Sequence, residues 1–100
     1  MSVVVIYWRD IPTQVTFGKG RKAIKRPLAD RFLVAVDKAA MESGAEDTDS
    51  YLEEWRRATI DIGDEAPAEA VERIANELET QFPTKILADI ARNGGNTLKG

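Results

Sequence analysis

The chain contains neither histidine nor cysteine. Their absence removes the side chains that most often shuttle protons or attack as soft nucleophiles near neutral pH, which argues against conventional catalysis. It also excludes disulfides and thiolate metal sites. Aromatic residues are few, three Phe, two Trp and two Tyr. Long apolar runs are missing too: the longest is Val3 to Trp8, against the roughly 20 residues a membrane helix needs. No membrane partner is expected. The N-terminus lacks the basic start, apolar segment and small-residue cleavage site of a signal peptide, so the reading is a cytoplasmic bacterial protein.

What is present describes an ordinary globular chain. One hundred residues with 43% apolar and 31% charged side chains fit one domain with one core. We expect a single domain over residues 1–93, followed by a flexible tail over 94–100. The formal net charge is −3, yet its distribution is uneven. Seven Lys/Arg (Arg9, Lys19, Arg21, Lys22, Lys25, Arg26 and Arg31) face only Asp10 and Asp30 in residues 1–31, whereas the remaining acids crowd the later two-thirds.

"VVVIYWR" is β-branched and aromatic without helical period, which predicts a strand over 3–9, apolar at both parities as a central strand would be. "DIP" marks a connection. "TQVTFGK" alternates and reads as a second strand, broken by Gly18 and Gly20, which permit positive φ. Pro27 suits a first helical position, and the spacing of Leu28, Phe32, Val36, Ala39 and Ala40 predicts a helix over 27–43 that stops at Gly44. Ser50 and Glu53 have capping-box spacing for a short helical turn. "RRATIDIG" alternates again as a third strand. Pro67 opens a helix whose apolar stripe runs through Ala70, Val71, Ile74, Leu78 and Phe82, with Glu69, Glu72, Glu77 and Glu79 toward water. Pro83 interrupts it and opens a short helix ending at Asn93 and Gly94.

This order predicts an α+β fold: a three-stranded antiparallel or mixed sheet of order 2-1-3, with two long helices on one face in a split βαβ manner. The first strand would lie in the centre. Strands two and three would be edges, with charges such as Lys19 and Arg57 against edge pairing.

The candidate site follows from the charge pattern. "GKGRKAIKRP", residues 18–27, holds five cations and no acid. We expect Lys19, Arg21, Lys22, Lys25 and Arg26, with Trp8 and Arg9, to form a rim that docks an acidic or anionic partner, most simply a protein. Trp8 and Trp55 each adjoin an arginine, the make-up of an interface anchor, although filling the core is the plainer role for either ring. A backbone nest at Gly18 and Gly20 is a candidate for a phosphate or carboxylate, but no Walker motif is present. Basic residues near Tyr7 and Trp8 leave weak nucleic-acid binding as an alternative, against an overall pI near 5.0. Glu46, Asp47 and Asp49 beside Thr48 and Ser50 read as a helix start, without the glycine and spaced Glu of a calcium loop. No metal, cofactor or catalytic residue is expected.

Taken together and in this order, "YWRDIPTQV", "GKGRKAIKRPLADRF" and "DTDSYLEEWRR" resemble a family of short bacterial proteins, frequent in alphaproteobacteria, that carry a "virulence factor" domain. The resemblance covers roughly residues 4–80 and carries over no catalytic residues. It further implies the company of folate and corrinoid methyl-transfer enzymes, and with it an accessory role in which the chain binds a small anionic ligand.

Overall fold

The computed structural model describes residues 1–44 and 47–96. Strands β1 (Ser2–Trp8), β2 (Ile11–Phe17), β3 (Ile24–Pro27) and β4 (Trp55–Asp61) form one sheet of order β3-β2-β1-β4. Helices α1 (Asp30–Ser43), α2 (Thr48–Glu53), α3 (Pro67–Gln81) and α4 (Thr84–Arg92) complete it, with a 3-10 turn over Gly20–Lys22. Each neighbouring strand pair is antiparallel. The fold is α+β.

The sheet therefore has four strands where three were expected, and no parallel neighbours. The extra strand is β3, inside the basic segment. Pro27 was assigned to the helix start but closes β3, because its fixed φ suits both positions and its missing N–H costs nothing on an outer edge. Leu28 N–H instead bonds Thr13 O at 3.0 Å, and α1 begins three residues after Pro27. The expected strands keep the relative order β2-β1-β4, but β3 covers β2, so the edges are β3 and β4.

Apolar spacing explains the layers. Val3, Val5 and Val15 point from the sheet into a core shared with Phe32, Val36, Val71 and Ile74, and α1 packs against α4 on its other side. Both long helices lie on this one face. The opposite face stays open, with Val4, Ile6, Gln14 and Thr16 half-exposed and Lys25, Arg57 and Thr59 exposed. Pairing of β1 with β2 shifts between Ile6 and Tyr7, which leaves Thr13 as an extra residue. Its buried hydroxyl donates to Ile6 O at 2.8 Å. Such a bulge re-aims the strand end, and burial on β1 correspondingly moves from Val5 to Trp8.

Helix ends follow local chemistry. Gly44 closes α1 at φ 75° with its N–H on Ala40 O and Met41 O, as a left-handed cap should. The start of α2 differs from the expected Ser50/Glu53 box. Asp47 is the cap, accepting from Ser50 N at 3.3 Å, and the helix begins at Thr48. Ser50's hydroxyl, then its backbone N–H, hold the Asp47 carboxyl below the ordinary aspartate range. Because a lowered folded pKa contributes stability above the unfolded value that is lost as pH falls through the folded one, amide protection in α2, relative to the unstructured chain at the same pH, is expected to fall on acidification below about pH 4. Asp47→Ala should abolish that step.

Gly94 and Gly95, assigned to the tail, are buried. Gly95 O accepts from Asp10 N at 2.9 Å and Gly95 N donates to Ile90 O at 2.9 Å. The backbone ladder thus extends past α4 and ties the 93–96 segment to the β1–β2 turn. Leu98 and the remaining tail lie outside the described residues, as does Glu46.

Candidate interaction surface

The seven early cations divide into two groups. Arg9, Arg26 and Arg31 are engaged with the fold. Lys19, Arg21, Lys22 and Lys25 are exposed and have no hydrogen-bonded or ionic side-chain partner among the described residues. These four sit on the β2–β3 turn and the first half of β3, so one corner of the sheet carries concentrated positive charge without neutralising carboxylates.

That corner is built by backbone conformation. Gly18 at φ 80° and Gly20 at φ 72° turn the chain out of β2. Lys19 between them is extended, at φ −136° and ψ 157°. The stretch Gly18-Lys19-Gly20 thus lacks the alternating αR–αL conformation of an anion nest, which weakens the expected phosphate cradle there. The 3-10 turn then places Arg21 and Lys22 side by side, and Ala23 N closes it on Gly20 O at 3.2 Å.

Arg26 belongs to the interior side of β3. Its guanidinium bonds Glu72 at 3.2 Å and Glu79 at 3.4 Å, and Glu79 also accepts from Ala29 N at 2.9 Å. Burial lowers the Arg26 pKa, but the bonds to Glu72 and the charge of Glu79 outweigh it, leaving a pKa above the ordinary arginine value. Two of the glutamates expected to face water thus clamp α3 onto β3. Arg26 is therefore a poor docking residue. Arg26→Glu would set a third carboxylate beside Glu72 and Glu79, and we expect it to lower the Tm by about 4–8 °C, roughly 1 kcal/mol, in a thermal melt where Lys22→Glu leaves it unchanged.

Trp8 and Arg9 also leave the candidate surface. Trp8 is fully buried; its Nε1–H donates to Tyr51 O at 2.9 Å and its ring lies 5.7 Å from that of Tyr51. Trp55 is half-buried, edge-on to Tyr51 at 5.9 Å. Arg9 stacks 5.1 Å from the Trp8 ring centre, donates to Gly94 O at 2.6 Å and pairs with Glu54 at 3.3 Å. Arg31 similarly binds Phe82 O and Glu79 O. At Trp8 the adjacent arginine stacks on the ring inside the fold, whereas Arg56, beside Trp55, stacks on Tyr7 instead.

Two groups that the sequence reading did not assign to a site are Arg56 and Arg57. Arg56 lies 4.5 Å over Tyr7 and bonds Arg9 O at 2.9 Å and Asp10 at 3.4 Å. Arg57 is exposed and has no side-chain partner among the described residues. Two surface depressions lie elsewhere: one of about 410 Å³ along α3 is lined by Arg73, Asn76, Glu77, Thr80 and Gln81, and a cleft of about 370 Å³ between α1 and α4 is lined by Lys38, Met41, Glu42, Ala88, Ala91 and Arg92. Neither is lined by a corner cation. No helix among the described residues is long and apolar enough to cross a membrane, and no cluster of three metal-ligating side chains occurs among them.

No curated protein matches the chain, and no solved structure does. A family model described as "Virulence factor" matches residues 6–91, which takes in the end of β1, the other three strands and nearly all of the helical core. The chain belongs to the virulence factor family.

Proposed function

We propose that the protein is a non-catalytic interaction module that docks an acidic protein surface through Lys19, Arg21, Lys22 and Lys25. The observation that supports this reading most directly is the separation of the early cations: three are held by the fold, and four stand together on one exposed corner with no carboxylate of the described residues near enough to pair. Unneutralised clusters of one sign raise the local potential and steer oppositely charged partners. Neither of the surface depressions described above is lined by a corner cation, which favours a protein surface over a small enclosed ligand.

The test is a pull-down from cell extract with mass spectrometry, comparing the wild type with the double reversal Lys22→Glu/Lys25→Glu. Both side chains point into water, so the Tm should stay within about 2–3 °C. Capture of an acidic protein should fall at least about tenfold, and wild-type capture should weaken with added salt. Equal capture by the reversed protein would remove the basis of the proposal.

A further inference from the structure

The sheet has two edges, and hydrogen-bond phase distinguishes them. In an antiparallel ladder each residue directs both backbone polar groups to the same side, and the side alternates along the strand. Arg9 N bonds Glu54 O, and Ile62 N bonds Met1 O, which are opposed positions in the β1–β4 register. The even-numbered residues of β4 therefore face β1. Trp55, Arg57, Thr59 and Asp61 direct their N–H and C=O groups outward. By the same reasoning Leu28 N on Thr13 O places Lys25 and Pro27 outward on β3. That edge offers a single N–H over four residues, because Pro27 has none.

The β4 edge is different. It is seven residues long, contains no proline and pairs with β1 in an unbroken register. Of the usual protections of an edge, β4 lacks a short strand, a proline and a bulge; it carries charges, but of both signs. Its outward side chains on the open face are Arg57, Thr59 and Asp61, opposite Ile6, Val4 and Ser2. Arg57 has no side-chain partner among the described residues. The Asp61 side chain is 83% exposed, and among the described residues its Oδ1 is engaged by Gly63 N at 2.9 Å and more weakly by the N-terminal ammonium at 4.0 Å.

We infer that β4 pairs antiparallel with β4 of a second copy of this chain, on a two-fold axis through Thr59. In that register Arg57 lies opposite the partner's Asp61, Thr59 opposite the partner's Thr59, and Asp61 opposite the partner's Arg57. All are outward-facing residues, so the three pairs form about six backbone hydrogen bonds. The charges select this register from those that the backbone phase allows. An axis through Arg57 sets two arginines face to face, an axis through Asp61 sets two aspartates face to face, and axes through Ala58 or Ile60 set Arg57 opposite Thr59 or Gly63, whereas of these the Thr59 axis alone places opposite charges together, on both sides of a Thr–Thr pair. On the helix side, Ala58 meets the partner's Ile60 twice. The two sheets become one, with the basic corners at its far ends, an arrangement that allows two acidic sites to be engaged together.

Sedimentation equilibrium tests the inference. The wild type should move from the 11.1 kDa monomer toward twice that mass as its concentration rises to about 1 mM, the range of a weak interface. Arg57→Asp alone leaves only acids at the two positions, and Asp61→Arg alone leaves only bases, so each variant should stay monomeric. An equimolar mixture of the two should recover the doubled mass, because each acid then faces a base. A wild type that remains 11.1 kDa at about 1 mM overturns the inference. So does an Arg57→Asp variant that associates as well as the wild type, or a mixture of folded variants that stays monomeric.

Discussion

Replacing Trp8 by alanine should lower the Tm by about 12 °C or more. The indole is fully buried, and removing a large aromatic from a packed core costs about 3–5 kcal/mol, where each kcal/mol is worth about 4–8 °C in a domain of this size. Trp8 also joins three parts of the chain. It ends β1, donates to Tyr51 O in α2 and lies under the 94–95 segment, since a Cβ placed on Gly95 would sit 2.9 Å from Trp8 Cζ3. Trp8→Phe should recover part of the loss, because it refills volume but leaves Tyr51 O without its donor. Circular dichroism melts of the two variants and of Trp55→Ala give the comparison. Trp55 is only half-buried, so its truncation should cost clearly less than that of Trp8. A Trp8→Ala variant that loses under about 5 °C would mean that the ring does not anchor this core.

The sequence disclosed the helices of this fold better than its sheet. Apolar residues at helical spacing, Pro67 and Gly44 marked α1 and α3 to within a few residues, because the residues that fill the core also set the period. β3 was hidden for a physical reason. It is four residues long, two of its side chains are cations and it ends in proline, so neither propensity nor alternation distinguishes it from a turn. It is tied to α3 by Arg26 reaching Glu72 and Glu79, some 46 and 53 positions away. The same long-range pairing decided the candidate site. Counting charge along the chain located the basic segment, but only the packed structure separates Arg26, facing α3, from Lys25, facing water. Likewise, nothing local identified Arg57 and Asp61 as complementary positions; the ladder phase that makes them so depends on bonds at both ends of β1.

The second large effect is expected at the β1–β2 turn, which was placed at "DIP" but consists of Arg9 and Asp10, between paired Trp8 and Ile11. Arg9 has φ 52° and is the one non-glycine residue with positive φ among those described. For a residue with a Cβ, that conformation costs about 1–2 kcal/mol, and a two-residue hairpin ordinarily places glycine, asparagine or aspartate there. The cost is offset by contacts: Arg9 N on Glu54 O, the guanidinium on Gly94 O and Glu54, and Arg9 O accepting from Arg56. Arg9→Ala removes the guanidinium bonds and keeps the strain, a loss of about 2–3 kcal/mol. Arg9→Gly removes the same bonds and relieves the strain, so it should melt about 4–8 °C above Arg9→Ala. Gly95→Ala attacks the contact from the other side. Gly95 has φ 94°, and its Cβ would also lie 3.3 Å from Ala39 Cβ, so strain and overpacking together should cost about 3 kcal/mol and push the neighbouring Gly94 carbonyl away from Arg9. The two losses then overlap: in a double-mutant cycle of Arg9→Ala and Gly95→Ala, the combined destabilisation should fall short of the sum by about 1 kcal/mol. Full additivity would show that the 94–95 segment and the turn are not coupled through Arg9.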